Sequence, residues 1–141
     1  MKLGAPTVPI RTLVVEDHKA VLDHICSALG EQRDLEIIGK VQNGLEAVER
    51  AASLQPDLII LDIGLPGLNG MEAARRIREL RPDAKIIFLT LESSPEIVHE
   101  AFRLGARGYV LKAGFARELP AAVDAVMNGK RFAGEGVEGW P

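Results

Sequence analysis

The sequence predicts an α/β fold in which helices connect the strands of a parallel sheet. Short runs of β-branched and aliphatic residues alternate along the chain with segments whose apolar residues recur at helical spacing. The most apolar short run, residues 58–61, is typical of a strand buried on both faces, as in a parallel sheet. Polar residues able to carry chemistry directly follow several of these runs, where open α/β sheets place their functional sites.

The strands and helices can be assigned in order along the chain. The helices are indicated by apolar residues three or four positions apart. Gly30 and Gly105 are placed to end the first and fourth helices, and Ser94-Pro95 to begin the fourth. The five predicted strands are residues 12–15, 35–41, 58–61, 85–89 and 108–111. The five apolar helix stripes are Val21, Leu22, Ile25 and Leu29; Ala47, Val48, Ala51 and Leu54; Met71, Ala74, Ile77 and Leu80; Ile97, Val98, Ala101 and Leu104; and Leu119, Ala122, Val123, Val126 and Met127.

This strict alternation of strand and helix favours parallel strands joined by right-handed crossovers. A chain of 141 residues with 47% apolar and 26% charged residues has the size and composition of one globular domain. We expect a disordered lead over residues 1–10, one domain over 11–131, and a tail or the start of a linker over 132–141.

Charge and cysteine content narrow the possible environments and partners. A net charge of -3 gives no general attraction to nucleic acid or to an anionic membrane. No apolar stretch approaches the ~18 residues that a membrane-spanning helix needs. Cys26 is the single cysteine, so an intrachain disulfide is excluded and a cytoplasmic location fits.

Five polar residues follow four of the predicted strands. They are Glu16 and Asp17 after the first strand, Asp62 after the third, Thr90 after the fourth and Lys112 after the fifth. Parallel strands end at one edge, so we expect these side chains to meet. Two carboxylates about 4 Å apart repel by about 4 kcal/mol at an effective dielectric constant of about 20. A Mg²⁺ ion would remove that repulsion, since it prefers oxygen ligands and binds through carboxylates, phosphate oxygens and water.

The chemistry expected of this set is phosphoryl transfer to a carboxylate. Asp62 would be the nucleophile, and Lys112 and Thr90 would contact the oxygens of the transferred group. Taken singly, each residue has a simpler interpretation: Asp62 or Asp17 as a helix cap or turn former, Lys112 as a solvated lysine and Thr90 as a strand-end hydroxyl. The combination at one edge favours the chemical interpretation.

Four stretches of the chain resemble the receiver domain of two-component response regulators, which has the CheY-like fold. They are residues 13–18 (LVVEDH), 58–70 (LIILDIGLPGLNG), 88–90 (FLT) and 105–113 (GARGYVLKA). The resemblance covers residues 11 to 131 and implies a doubly wound, five-stranded parallel sheet of order 2-1-3-4-5 with helices on both faces.

The resemblance also implies a role for each site residue. Asp62 would accept a phosphoryl group from the phosphohistidine of a sensor histidine kinase. Thr90 and Lys112 would contact that group. Thr90 and Tyr109 would form the conformational switch, in which the ring of Tyr109 turns inward when Thr90 moves toward the phosphoryl group. The ligands implied for Mg²⁺ are Glu16, Asp17, Asp62 and the backbone carbonyl of Gly64. The chain departs from the family at Leu91, where a small residue is typical, and we expect the bulkier side chain to restrict access to the site.

The start Glu16-Asp17-His18 and the run of residues 105–112 resemble the NarL/LuxR-type subfamily, whose receivers usually precede a helix-turn-helix DNA-binding domain. The resemblance therefore implies control of transcription through a DNA-binding domain that would follow residue 141. The alternative is a stand-alone phosphoreceiver or phosphorelay intermediate. A homodimer is implied as possible, and the protein is expected to be a signalling protein rather than an enzyme.

Three other classes share part of the pattern. A hydrolase of the haloacid dehalogenase type needs a second aspartate where this chain has Gly64, which cannot transfer a proton. A pseudo-receiver usually lacks the aspartate, the lysine or the acidic pair, and all are present here. A flavodoxin-like cofactor binder needs a phosphate-binding loop after the first strand, where Glu16-Asp17 would repel phosphate.

Overall fold

The computed structural model describes residues 8–32 and 34–140, and strand and helix alternate through most of this range as predicted. The sequence-predicted disordered lead lies mainly outside the described residues, but Ile10 already belongs to the first strand. The strands are β1 (Ile10–Val15), β2 (Leu35–Val41), β3 (Leu58–Leu61), β4 (Lys85–Thr90), β5 (Gly108–Leu111) and β6 (Phe132–Ala133). The helices are α1 (Lys19–Leu29), α2 (Gly44–Leu54), α3 (Gly70–Leu80), α4 (Pro95–Arg103) and α5 (Phe115–Met127).

The strands form one parallel sheet in the order β2-β1-β3-β4-β5-β6. The prediction of five strands was wrong, because residues that we expected in a tail add β6 to the edge of β5. The amide of Phe132 donates to the carbonyl of Arg107, and the amide of Gly134 donates to the carbonyl of Tyr109, each at 2.9 Å. A strand of two residues is too short to show any periodicity in the sequence.

Two apolar layers cover the two faces of the sheet, as expected for a doubly wound fold. Successive residues of a strand point to opposite faces, so Val14 and Ile60 lie in one layer and Leu13 and Ile59 in the other. Helices α1 and α5 contribute to the first layer, and α2, α3 and α4 to the second. Among the described residues, no helix is both long enough and apolar enough to cross a membrane.

Local signals place the helices that begin near the functional edge of the sheet. The side chains of Asn43 and Asn69 cap α2 and α3 by accepting hydrogen bonds from the amides of Glu46 and Glu72. Gly105 ends α4 at φ +116°, a backbone conformation that favours glycine. The two asparagine caps fix the points at which the loops after β2 and β3 return to helix.

Candidate functional site

The five polar residues selected from the sequence converge at the carboxyl edge of the sheet. Because β1, β3, β4 and β5 are neighbours, the residues that follow or end them lie side by side. Glu16 is fully buried, and Asp62 and Thr90 are only 5% and 2% exposed. Buried charged and polar groups are costly without partners, so their placement at one edge marks a specialised site.

Lys112 links two of the carboxylates. Its Nζ donates a hydrogen bond to Asp62 Oδ2 at 2.8 Å and lies 2.7 Å from Glu16 Oε1, at ion-pair distance but outside hydrogen-bonding angles. Burial acts to lower the pKa of Lys112, but its contacts with Asp62 and Glu16 outweigh that effect and raise the pKa above its ordinary value. Lys112 therefore carries a fixed positive charge beside Asp62.

Asp62 lies at the floor of a cleft of about 170 Å³ that is lined in part by Asp17, Thr90, Leu91 and Lys112. Its Oδ1 accepts a hydrogen bond from the amide of Gly64 at 3.2 Å. The backbone behind Asp62 is tightly packed, since a Cβ at position 70 would lie 2.0 Å from the Asp62 carbonyl oxygen. Gly70 is thus required for the chain to pass close to Asp62, a constraint that we did not deduce from the sequence.

The acidic pair after β1 leaves oxygen atoms without hydrogen bonds. Glu16 Oε1 and Asp17 Oδ1 are buried and accept none from the described residues. His18, which we did not select as a site residue, places its Nδ1 3.3 Å from Glu16 Oε2 and 3.2 Å from Asp17 Oδ1. One ligand atom from each of these three residues lies within 4.8 Å of the other two. The one sequence signal for His18 is its position next to the acidic pair.

These residues fit a divalent cation by charge and by donor type. Three carboxylates and one ammonium leave two uncompensated negative charges, and carboxylate oxygens are hard ligands of the kind that Mg²⁺ takes. The fit concerns Asp17 most directly, because Glu16 Oε1 and Asp62 Oδ2 already lie within ion-pair distance of Lys112 Nζ. At Gly64 the observed contact is made by the amide, and the predicted role of the carbonyl remains a prediction.

A second set of contacts leads from Thr90 to Tyr109. The amide of Glu92 donates to Thr90 Oγ1 at 3.3 Å, and the hydroxyl of Tyr109 donates to the carbonyl of Glu92 at 2.6 Å. Tyr109 is fully buried, so its ring already points inward in this structure, where the resemblance implied an inward turn on phosphorylation. Burial together with the charges of Glu92 and Asp62 raises the pKa of Tyr109. Glu92, in the loop after Thr90, is therefore bonded through its amide to Thr90 in the site and through its carbonyl to Tyr109 in the core.

Comparison with protein families and curated proteins gives matches over most of the chain. The response regulator receiver domain matches residues 12–124. The chain is 38% identical over 123 residues to the transcriptional regulatory protein DesR of Bacillus subtilis, which covers 87% of the chain and 61% of DesR. It is also 36% identical over 121 residues to LiaR of the same organism. That alignment covers 86% of the chain and 57% of LiaR. The chain thus spans about three fifths of these relatives.

Solved structures agree with these matches. A two-component response regulator of the LuxR family from an Aurantimonas species superposes with a TM-score of 0.84 at 29% identity, covering 88% of this chain and 89% of that one. The isolated REC domain of RcsB from Salmonella enterica serovar Typhimurium, with the phosphomimetic BeF3⁻, gives a TM-score of 0.85 at 27% identity, covering 92% and 96%.

Proposed function

The chain belongs to the response regulator receiver family, and from this premise we propose that it is a signalling switch phosphorylated on Asp62. The donor would be a phosphohistidine of a sensor histidine kinase. The observation that carries the proposal is the contact between Lys112 and Asp62 at 2.8 Å, at the floor of an open cleft beside the buried Thr90. In this arrangement Asp62 offers a nucleophilic oxygen, and Lys112 offers a positive charge to the incoming phosphoryl group.

In the proposed transfer, a carboxylate oxygen of Asp62 attacks phosphorus while the bond from phosphorus to the imidazole nitrogen breaks. The electron pair of that bond goes to the imidazole, which leaves as neutral histidine after protonation, and Asp62 becomes an acyl phosphate. Lys112 offsets negative charge on the oxygens of the phosphoryl group during its transfer, and Thr90 donates a hydrogen bond to one of these oxygens. Glu16, Asp17 and Asp62, with the Gly64 carbonyl, would hold Mg²⁺, which supplies further charge neutralisation when bound.

The readout would be a shift between two conformations. When Thr90 turns its hydroxyl towards the phosphoryl group, the amide of Glu92 loses its acceptor, and the contact between Glu92 and Tyr109 changes with it. The support for this step is the pair of hydrogen bonds that joins Thr90, Glu92 and Tyr109. Tyr109 would then repack within the core.

The output would be control of transcription in the cytoplasm. DesR and LiaR are named as transcriptional regulators and are longer than this chain, so we propose that a DNA-binding domain acts together with this receiver. Dimerisation of the receiver would couple the receiver to the DNA-binding domain. A stand-alone phosphoreceiver, without DNA output, is the second candidate.

Labelling with a small phosphodonor tests the proposed acceptor. Incubation with Mg²⁺ and acetyl phosphate should add one acid-labile phosphate per chain, and the Asp62→Asn variant should add none, because an amide nitrogen is a poor nucleophile. Asp57→Asn, at the opposite end of β3, is the matched control and should label fully. Full labelling of Asp62→Asn would refute the assignment.

A further inference from the structure

A second cleft, of about 250 Å³, lies at the amino edge of the sheet, where the strands begin. Asp62 follows a strand and therefore lies at the opposite edge. The topology brings three separate parts of the chain to this cleft: the last turn of α3, the turn between α4 and β5, and the residue before β6. Among the described residues, its lining contains no acidic side chain and consists of Arg78, Phe102, Arg103, Gly105, Ala106, Arg107 and Arg131.

The backbone of the sheet fixes the position of Arg107. Its amide donates a hydrogen bond to the carbonyl of Ile86, and its carbonyl accepts one from the amide of Phe132, each at 2.9 Å. Arg131 directly precedes Phe132 and so lies beside Arg107. Two of the four arginines are thus carried by or next to neighbouring strands, which position side chains more precisely than free loops do.

Gly105 makes room for Arg78. The backbone of Gly105 has φ +116°, and a Cβ at this position would overlap the guanidinium of Arg78. The half-buried Arg78 also donates from Nη1 to the carbonyl of Pro82 at 3.3 Å, in the turn after α3. Arg78 therefore lies across the turn that joins α4 to β5, and its guanidinium reaches the same cleft as Arg107.

The positive charge of the cleft is only partly compensated. Among the described residues, Arg103 alone of the four arginines forms an ion pair, with Glu100, through hydrogen bonds of 2.9 and 2.6 Å. Helices α3 and α4 end here, and the C-terminus of a helix carries about half a negative charge. Glu100 and the two helix ends offset about two of the four positive charges, so about two remain. A chain with a net charge of -3 does not place such a cluster in one cleft by composition alone.

The chemistry and size of the cleft define the ligand that would fit. A guanidinium group presents a planar fork of donors that matches the oxygens of a phosphoryl group. The volume of about 250 Å³ is several times the share of about 30 Å³ that one water molecule takes in the liquid. It is also below the ~300 Å³ at which pockets for drug-sized ligands begin. Two linked phosphoryl groups fit these limits better than a single small ion or a whole nucleotide.

We propose that this cleft is a binding site for a diphosphate group, either as free pyrophosphate or as the end of a larger molecule. Arg78, Arg107 and Arg131 hold its oxygens, and Arg103 adds to the local positive charge. The site does not depend on phosphorylation of Asp62, which lies at the other edge of the sheet. A bound ligand joins α3, the turn after α4 and the start of β6, so it stabilises the folded protein by mass action. The main alternative is the backbone of a nucleic acid, which the small concave volume disfavours.

Titration of the metal-free full chain with inorganic pyrophosphate tests the site. Without metal, the edge around Asp62 carries excess negative charge and repels the anion. Calorimetry should show one bound pyrophosphate per chain, and the amide NMR signals of residues 105–107 should shift most. The melting temperature should rise with pyrophosphate concentration.

Arginine variants locate the binding and separate it from general charge attraction. Arg131 is exposed, so Arg131→Gln should fold normally, and it should bind pyrophosphate about tenfold more weakly, as for loss of one charge-assisted hydrogen bond. Arg107→Lys should also bind more weakly, because it keeps the charge but loses the planar fork. Arg50→Gln is the matched control, since it removes an exposed arginine of α2 that does not line the cleft, and it should keep the wild-type affinity.

Each outcome decides for or against the diphosphate site. Absence of binding at millimolar pyrophosphate would overturn it, as would equal affinities of Arg131→Gln and Arg50→Gln. Orthophosphate binding as tightly as pyrophosphate would also overturn it. Tighter binding of duplex DNA than of pyrophosphate, lost in Arg131→Gln, would replace it with a nucleic acid surface. ADP is the remaining arm: affinity equal to that of pyrophosphate would support a diphosphate carried by a nucleotide, and weaker affinity would support free pyrophosphate.

Discussion

The carboxyl edge of the sheet and the side covered by residues 132–140, which we call the strap, bury different kinds of group. The edge buries Glu16 and Asp62 beside Lys112, and the partly exposed Asp17 lies next to Glu16. Two oxygens of these carboxylates accept no hydrogen bond from the described residues. The strap side buries the rings of Tyr109 and Phe102 and covers them with Val137 and Trp140. Electrostatic repulsion at the edge favours binding of a cation there, whereas apolar and aromatic packing holds the strap side together. Changes at the edge should therefore alter the chemistry or the response to Mg²⁺, and changes in the strap should alter stability.

Removing the lysine from the edge should give the largest effect. Lys112→Met leaves Asp62 without its cation, and we expect phosphorylation by acetyl phosphate to slow by about 100-fold, as for loss of one transition-state donor. Initial rates of phosphate uptake measure this. Lys19→Met, which removes an exposed ammonium from α1, should keep the wild-type rate. Equal rates for the two variants would show that Lys112 does not assist the phosphorylation of Asp62.

Removing an apolar contact of the strap should affect stability instead. Val137→Ala deletes two methyl groups from a nearly buried side chain, and we expect a loss of about 1–2 kcal/mol in the free energy of unfolding. Urea denaturation measures the loss, and the amount of phosphate taken up at saturating donor should not change. Val8→Ala, at an exposed position, should cost almost nothing. A fully stable Val137→Ala variant would mean that the strap is not packed on the domain.

Removing a charge from the edge should raise stability in the absence of metal. Asp17 is about one quarter exposed and has a buried oxygen near the Glu16 carboxylate, so Asp17→Asn should stabilise the Mg²⁺-free protein by about 1 kcal/mol after allowance for solvent screening. The stabilisation that Mg²⁺ gives the wild type should shrink in this variant. Thermal unfolding with and without Mg²⁺ measures both effects. Asp23→Asn, which loses only an exposed ion pair, should change neither.

Shortening Leu91 should have the smallest effect and should be purely kinetic. The side chain is 79% exposed and lines the cleft above Asp62, so Leu91→Ala should leave stability unchanged. We expect faster phosphotransfer or faster autodephosphorylation, because a partner or water reaches Asp62 more easily. Decay of the acyl phosphate after removal of the donor measures the second rate. Unchanged rates for both reactions would show that Leu91 does not restrict the site.

The sequence predicted the edge better than the strap for a physical reason. Asp62 and Lys112 follow apolar strands and Thr90 ends one, and parallel topology brings such positions together whatever their separation along the chain. Gly70 and the contacts of Glu92 arise from close backbone approach, which depends on three-dimensional packing rather than on any pattern of residue types.

The strap has neither a regular period of apolar residues nor polar residues at the end of an apolar strand. Gly134, Gly136 and Gly139 interrupt any periodicity, and β6 consists of two residues whose pairing depends on the free edge of β5. The burial of Val137 and the contact of Trp140 with Phe102 depend on the position of α4, which comes from a distant part of the chain. A glycine-rich segment with no periodicity was therefore interpreted as a tail.

Reductive trapping of the phosphorylated protein tests the central claim most directly. Borohydride reduces an aspartyl phosphate to homoserine and leaves free carboxylates unchanged, so mass spectrometry of the peptides locates the acceptor. We predict homoserine at position 62 alone, formed only after treatment with Mg²⁺ and phosphodonor. Homoserine at Asp17, or phosphate retained on His18 with position 62 unmodified, would contradict the account.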